Sequence, residues 1–237
     1  MSSLSTETEA NGQTGSCVII PGGGSAGLNW TTAAEMLQAT VLPLPELDDV
    51  AAMASELVPA VAALPRPLTL VGASLGAMVA LEIAQQVPVD ALVLAAAGFG
   101  IDVGQDFLDW IGRAPSDLFP KLARVSLAPE APADVVATAI KDWEARGSQT
   151  VHRHLSALQR YKPHSGKALT VPTYVLWGEH DKAVPLQSHV ELAAQLGGVV
   201  VPIVNAGHMP FLEQPRTVVS WILKAIAETE ETASDVD

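Results

Sequence analysis

Ser74 lies in the frame Gly72-Ala73-Ser74-Leu75-Gly76, between a strand pattern and a helix pattern. The apolar run Leu68–Val71 predicts a buried strand, and apolar residues recur at helical spacing directly after the serine. The chain must therefore turn sharply at Ser74, which requires a positive-φ backbone there and small neighbours. This pattern is typical of a nucleophile elbow. It exposes the serine hydroxyl at a helix N-terminus and leaves the Leu75 N–H free to bind an oxyanion.

A second run, Cys17 to Ser25, is a short apolar strand that ends in three glycines, Gly22 to Gly24. Glycines at a strand end allow backbone N–H groups to approach a substrate closely. A phosphate would also suit such a loop. However, the Gly-Lys-Ser/Thr ending of a P-loop is missing, and no well-placed acidic residue follows as in a dinucleotide site. We therefore predict oxyanion binding, with the Gly23 N–H as first candidate donor and the Gly24 N–H as second.

Two later strands end in loops that carry a carboxylate and a histidine. Asp181 follows the predicted strand Thr173–Trp177, and His208 follows the predicted strand Val199–Val204. A carboxylate in this position would fix the tautomer of the histidine and stabilise the imidazolium, while the histidine would take the serine proton as general base. The three residues together predict nucleophilic catalysis by Ser74.

Other residues compete for these two roles. An aspartate in a turn is most often structural, and a lone histidine is more often a surface or packing residue than a catalyst. Glu179 and Asp102 are the alternative acids. The remaining histidines rank below His208 because they lie in predicted helices or polar loops: His152, His154, His164, His180 and His189.

The chain order serine, aspartate, histidine, each directly after a strand, resembles the α/β-hydrolase superfamily. The resemblance covers residues 17 to about 227. Within it, Trp177–Pro185 is similar to the acid turn of the family, and Gly207–Pro215 is similar to its histidine loop with the Glu-x-Pro that often follows. Pro21 departs from the family pattern, because many members have a histidine there.

The resemblance implies a serine hydrolase that acts on a small-molecule carboxylic ester, lactone or thioester through an acyl-enzyme. Its site residues would be Ser74, Asp181 and His208, with the Gly23 and Leu75 N–H groups as oxyanion donors and with no metal or organic cofactor. Two alternatives stay open. One is a carbon–carbon bond hydrolase or lyase with the same triad, and the other is a non-catalytic small-molecule-binding protein on the same fold.

The alternation of strand and helix patterns predicts an α/β class, three-layer α/β-hydrolase fold. Residues 1–16 are nearly all polar and predict a disordered tail. We therefore expect no counterpart of the antiparallel strand pair that begins many family members. We expect a shortened, mostly parallel sheet of about six strands: Cys17–Ile20, Thr40–Leu42, Leu68–Val71, Ala91–Ala97, Thr173–Trp177 and Val199–Val204. Helices are predicted between them at Thr31–Gln38, Asp48–Leu64 with a kink at Pro59, Ser74–Val87, Leu186–Leu196 and Thr217–Glu228.

The alternation of strand and helix patterns is interrupted between residues 99 and 168, where only helix patterns occur. This insertion resembles a helical cap, with predicted helices at Asp106–Arg113, Ser116–Leu127, Ala133–Arg146 and Gln149–Arg160. The predicted domains are therefore a core at 17–98 and 169–228, a cap at 99–168 and an acidic tail at 229–237. Apolar cap residues could line an acyl pocket or only pack the cap: Phe107, Trp110, Leu118, Phe119, Val136 and Trp143.

The formal net charge is −13 and no basic stripe is present. This argues against nucleic-acid partners and against anionic membrane surfaces, and solubility is the simpler explanation of the charge. The partner that the resemblance implies is a small-molecule substrate. Three cap cations, Arg153, Arg160 and Lys162, could attract an anionic substrate or simply be solvated. One cysteine excludes an internal disulfide. No signal-peptide pattern or membrane-spanning stretch is found, so we expect a cytoplasmic protein. The sequence does not predict the oligomeric state.

Overall fold

A computed structural model describes residues 15–99, 101–162 and 169–234, with side chains described as far as residue 229. Most of the predicted N-terminal tail and the last three residues of the predicted acidic tail lie outside these ranges. The predicted division into core, cap and tails stays a prediction.

The described strands form one sheet with the order β2-β1-β3-β4-β5-β6, and every neighbouring pair is parallel. This confirms the predicted α/β fold with a shortened sheet of six strands. The central strands β3 and β4 are buried along their whole length because helices cover both faces of the sheet. The strands are β1 (Ser16–Ile20), β2 (Thr40–Val41), β3 (Leu68–Ala73), β4 (Ala91–Ala95), β5 (Thr173–Gly178) and β6 (Val199–Ile203).

The helices follow the strands in alternation, except that four come together between β4 and β5 and two follow β6. A 3-10 turn at Leu28–Trp30 precedes the first helix. The helices are α1 (Thr31–Leu37), α2 (Val50–Ala62), α3 (Leu75–Ala84), α4 (Gln105–Gly112), α5 (Leu118–Ser126), α6 (Ala133–Arg146), α7 (Ser148–Arg160), α8 (Leu186–Leu196), α9 (Pro210–Glu213) and α10 (Pro215–Ser234).

Alternate residues of each strand face two separate cores. Val18 and Ile20 of β1 pack in the core beneath α2, α3 and α8. Cys17 and Ile19 pack on the opposite face, in the core beneath α1 and α10. Burial raises the pKa of the Cys17 thiol to about 12, so this cysteine packs as a small apolar residue, as predicted. The sheet is thereby fixed on both sides, and its carboxyl edge is held in place for the loops that follow each strand.

Most predicted elements begin or end one to three residues away from the observed bounds, and α8 and α6 match at both ends. Two of the differences have an identifiable setting. Strand β4 was predicted to reach Ala97 but ends at Ala95, because Ala96 has a φ of 50° that no strand accommodates. Helix α10 was predicted to end at Glu228 but continues to Ser234. The Tyr174 hydroxyl of β5 donates to the Glu228 carboxylate over 2.7 Å and so anchors this part of the helix to the sheet.

Candidate active site

The turn between β3 and α3 holds Ser74 in a strained conformation, with φ 51° and ψ −120°. Such a backbone costs about 1 to 3 kcal/mol and persists only where the surroundings impose it. The two flanking glycines are required by close packing. A Cβ on Gly72 would lie 2.6 Å from the Ala77 Cα, and a Cβ on Gly76 would overlap the carbonyl oxygens of Ile20 and Pro21. The predicted elbow is therefore present.

The structure brings the three predicted catalytic side chains into one hydrogen-bonded chain. The Nδ1 of His208 lies 2.9 Å from an Asp181 carboxylate oxygen, and its Nε2 lies 3.1 Å from the Ser74 hydroxyl oxygen. The carboxylate fixes the proton on Nδ1, so the lone pair of Nε2 faces the hydroxyl. The Asp181 side chain is fully buried, whereas 15% of the His208 side chain is exposed.

Asp181 stays ionised despite its burial. Burial acts to raise the pKa of this carboxyl, but the charge and hydrogen bond of His208 and two backbone N–H bonds outweigh it, and the pKa is lowered. Those backbone donors are Ala183 at 2.8 Å and Val184 at 3.0 Å, both to the oxygen that does not face His208. A carboxylate held in this way is a stable anchor for an imidazolium.

The loop that carries His208 is fixed by a residue that the prediction did not assign. The Glu213 carboxylate accepts the N–H groups of Gly207 at 2.8 Å and Ala128 at 2.6 Å. The His208 N–H donates to the Ser126 carbonyl over 2.6 Å. The Glu-x-Pro motif contained the signal for Glu213, but its partner Ala128 lies in the insertion and could not be read from the motif.

Two backbone N–H groups are available beside Ser74. Leu75 is the first residue of α3, so its N–H has no acceptor within the helix. The Gly23 N–H has no hydrogen-bond partner among the described residues. By contrast, the Gly24 N–H donates to the Nδ1 of His154 over 2.9 Å. The second predicted oxyanion donor, Gly24, was therefore wrong, because its N–H is already engaged.

A cavity of about 440 Å³ opens over Ser74 and His208. Its volume lies in the range of small-molecule sites. Much of its wall is apolar and comes from the insertion between β4 and β5. Phe107 and Trp143 line it, as predicted for some residues of the insertion, whereas Trp110, Leu118, Phe119 and Val136 do not. Further apolar lining residues from the insertion include Ile101, Val103, Leu122, Val125, Leu155 and Leu158.

Neither alternative acid forms a hydrogen bond or ion pair with the His208 side chain, whose partners are Asp181 and Ser74. Asp102 lines the cavity. The Glu179 carboxylate instead accepts the Asn205 N–H over 3.3 Å on the surface. Among the other histidines, His154 and His189 are fully buried, and His164 lies outside the described residues.

The predicted cap cations do not line the cavity over Ser74. Arg153 pairs with Glu46 at 3.4 Å and Arg160 pairs with Asp48 at 3.1 Å. Both arginines line a separate polar groove, which Lys162 does not line. The structure thus gives no support to a role for them in attracting substrate.

Two further observations concern metal ligands and membrane-spanning helices. Within the described ranges, no group of histidine, cysteine, aspartate and glutamate side chains is arranged to hold a metal ion. None of the helices described for this chain combines the length and apolar character that crossing a bilayer requires.

Comparisons with known proteins agree with this fold. Residues 17–221 match the sequence model of the alpha/beta hydrolase family. A thermophilic esterase is 22% identical, with 92% of each chain covered and a TM-score of 0.80. The esterase EaEST from Exiguobacterium antarcticum is 16% identical, with 90% of this chain and 92% of that chain covered and a TM-score of 0.75.

A third solved structure is the type II thioesterase BorB from the borrelidin biosynthetic cluster. It is 17% identical, covers 92% of this chain and 94% of its own, and has a TM-score of 0.69. At these identities the solved structures show that the fold is shared. No curated protein matches the chain at a significant level.

Proposed function

The chain belongs to the α/β-hydrolase family, and we propose that it is a serine hydrolase that cleaves a small-molecule carboxylic ester, lactone or thioester through an acyl-enzyme on Ser74. One observation carries the proposal: the unbroken hydrogen-bonded chain from Asp181 through His208 to Ser74, which opens into an apolar cavity. A buried serine–histidine–aspartate chain at a cavity suits acyl transfer.

In the first step, His208 Nε2 takes the proton of the Ser74 hydroxyl as its oxygen attacks the substrate carbonyl. The Asp181 carboxylate stabilises the imidazolium that forms. The carbonyl oxygen becomes an oxyanion and is bound by the N–H groups of Gly23 and Leu75, neither of which must give up another bond. The oxyanion then collapses and the bond from the carbonyl carbon to the leaving oxygen or sulfur breaks. The imidazolium gives its proton to this departing alkoxide or thiolate, and the acyl group stays on Ser74.

In the second step, water replaces the leaving group. His208 takes a proton from this water, and the resulting attack on the acyl carbon reforms the oxyanion between Gly23 and Leu75. Collapse of the intermediate breaks the bond to the Ser74 oxygen, which recovers its proton from His208. The carboxylic acid leaves and the site returns to its starting state.

The cavity walls favour a substrate with an apolar part. Side chains such as Phe107, Trp143 and Leu158 surround the space next to Ser74. Each methylene that a substrate buries there contributes about 0.8 kcal/mol, until the cavity is full. We therefore expect turnover to rise with acyl length and then to fall.

Hydrolysis of p-nitrophenyl esters from acetate to decanoate tests the proposal. The expected result is turnover with an optimum at an intermediate chain length, blocked by a fluorophosphonate that labels Ser74. The Ser74→Ala protein should lose activity by several powers of ten, while the exposed-serine control Ser55→Ala keeps it. Turnover that survives in Ser74→Ala would refute the proposal. Labelling of Ser74 without ester turnover would favour carbon–carbon bond or lyase chemistry.

A further inference from the structure

A buried histidine from the insertion holds the loop that carries Gly23. His154 lies on α7 and is fully buried. Its Nδ1 accepts the Gly24 N–H over 2.9 Å, and its Nε2 lies 2.9 Å from the Pro45 carbonyl oxygen. One imidazole ring therefore connects α7 to the glycine loop after β1 and to the loop after β2.

These two contacts fix the protonation state of the ring. A carbonyl oxygen only accepts, so Nε2 must carry a proton and donate it to Pro45. Nδ1 must then be unprotonated to accept from Gly24. Burial lowers the pKa of His154 to about 4, against the smaller opposing effects of the Pro45 carbonyl and Glu46; the charges of Arg146 and Arg153 lower it further. The neutral ring that the geometry requires is thus also the stable form near neutral pH.

Helix α7 also packs directly on the glycine loop. A Cβ on Gly23 would lie 3.5 Å from the His154 Cβ and 3.7 Å from a methyl carbon of Leu155. Gly24 has a φ of 71°, and a Cβ there would overlap Val151. Helix α7 is therefore in van der Waals contact with the loop at Gly23 and packs more tightly against it at Gly24.

The far end of the same loop is held by the neighbouring helix. The Asp142 carboxylate of α6 is fully buried and accepts the N–H groups of Ala26 at 3.1 Å and Leu28 at 2.7 Å. The insertion thus binds three N–H groups of this loop. The Gly23 N–H is left without a partner among the described residues, and Gly23 lines the cavity beside Ser74.

We propose that His154 is a positioning residue for the oxyanion site: by accepting the Gly24 N–H, it fixes the glycine loop so that the Gly23 N–H is presented to the reacting oxygen. The inference rests on the proposed hydrolase function. His154 does not touch the reacting atoms, so its effect passes through the backbone. Loss of a complete oxyanion donor costs about 10²- to 10³-fold in kcat. Loss of the positioning contact alone should cost about 10- to 100-fold.

Three variants distinguish a role of His154 in positioning the glycine loop from a general loss of protein structure. His154→Phe keeps an aromatic ring but removes both hydrogen bonds. His154→Gln offers an amide oxygen and an N–H of similar reach, so it should restore part of kcat. His152→Phe is the matched control, because His152 lies on the same helix but lines the polar groove away from Ser74.

Three readouts apply to each variant: kcat and KM with a p-nitrophenyl ester, affinity for a boronic acid that forms a tetrahedral adduct with serine, and amide hydrogen exchange of Gly24 by NMR. In His154→Phe, kcat and boronic acid affinity should fall together with KM unchanged, and the Gly24 amide should exchange faster. A wild-type kcat, or a loss that appears only in KM, would overturn the proposal. So would unchanged protection of the Gly24 amide.

Two measurements keep this test separate from that of the hydrolase function. If the wild-type protein cleaves no ester, the hydrolase proposal fails, while Gly24 exchange still reports whether His154 holds the loop. If His154→Phe does not fold, a long-range ¹H–¹⁵N spectrum of the wild-type protein shows which ring nitrogen of His154 carries the proton. A ring protonated on Nε2 alone supports the proposal, and a proton on Nδ1 overturns it.

Discussion

The Asp181 carboxylate accepts hydrogen bonds from His208, Ala183 and Val184, and each of them favours its charged form. Asp181→Asn keeps the size of the side chain but removes the charge and allows its amide to donate toward His208, which favours the wrong tautomer. We expect kcat to fall by about 10³- to 10⁴-fold with the fold retained. Steady-state kinetics alongside circular dichroism measure both.

Glu179→Gln is the matched control for this substitution. Glu179 lies in the same turn, but its carboxylate contacts the Asn205 N–H and not His208. Activity close to wild type is expected for it. If Glu179→Gln lost activity while Asp181→Asn kept it, the acid would have been assigned to the wrong residue.

Residues whose role follows from local pattern could be predicted, and those whose role depends on packing could not. Ser74, Asp181 and His208 each follow an apolar run, so their position at one edge of a parallel sheet follows from periodicity. Asp142 and His154 sit in ordinary amphipathic helices. Their acceptor roles depend on hydrogen bonds that join residues 116 and 130 positions apart in the chain. No local pattern carries that information.

At the scale of elements, the contact between β3 and α3 depends on a glycine. A Cβ on Gly72 would lie 2.6 Å from backbone atoms of Ala77 and Gly76, which cannot move independently of the elbow. Gly72→Ala should therefore lower the free energy of unfolding by about 1 to 3 kcal/mol, as overpacking does. Urea unfolding measures this change.

Gly104→Ala is the control for a glycine that packing does not require. Gly104 precedes α4 with φ −63° and ψ 144°, and a Cβ there would meet no described atom within 4 Å. Alanine fits this backbone, so the variant should be neutral or more stable by about 0.4 to 1 kcal/mol. An equal decrease in the free energy of unfolding for Gly72→Ala and Gly104→Ala would contradict the prediction. It would mean that the effect of alanine at Gly72 does not come from its close packing.

The end of a helix can be predicted only where the sequence contains a residue that stops the helix. Helix α8 has the predicted bounds Leu186 and Leu196, because a proline before it and two glycines after it mark its ends. Helix α10 has no such stop signal after Glu228, and alanine and glutamate continue to favour helix. The acidic composition after Glu228 predicts a solvated tail, but charge alone does not end a helix, and α10 continues to Ser234.

For the whole molecule, the buried neutral histidines make stability depend on pH. The folded pKa of His154 is about 4, whereas an ordinary histidine in the unfolded chain titrates near 6.5. Between these values the unfolded state binds the proton and the folded state does not. Stability should therefore fall as pH drops from about 6.5 to about 4, by about 3 kcal/mol from this group. His189, whose pKa burial also lowers, adds to the loss.

Urea unfolding at pH 7 and pH 5 checks this prediction. The decrease in unfolding free energy should be smaller in His154→Gln than in the wild-type protein, because the variant cannot titrate at this site. His152→Gln is the control and should keep the wild-type decrease. An identical decrease in all three proteins would show that His154 does not remain neutral in the folded state.

The insertion between β4 and β5 links both halves of the candidate site. It supplies the Ser126 carbonyl and Ala128 N–H that hold the histidine loop, and the Asp142 and His154 acceptors that hold the glycine loop. The sequence predicted its helices, since amphipathic patterns show which residues are buried. Such patterns do not show what covers the buried face, so these contacts could not be predicted.

Formation of an acyl-enzyme on Ser74 is the event on which the proposed function depends most directly. We would mix the protein with excess p-nitrophenyl butyrate, quench with acid within milliseconds to seconds, and map the acyl mass by peptide mass spectrometry. The expected result is a butyryl group on Ser74, formed with nitrophenol release and absent from Ser74→Ala. A butyryl group on another residue, or nitrophenol release by Ser74→Ala at the wild-type rate, would contradict the assignment.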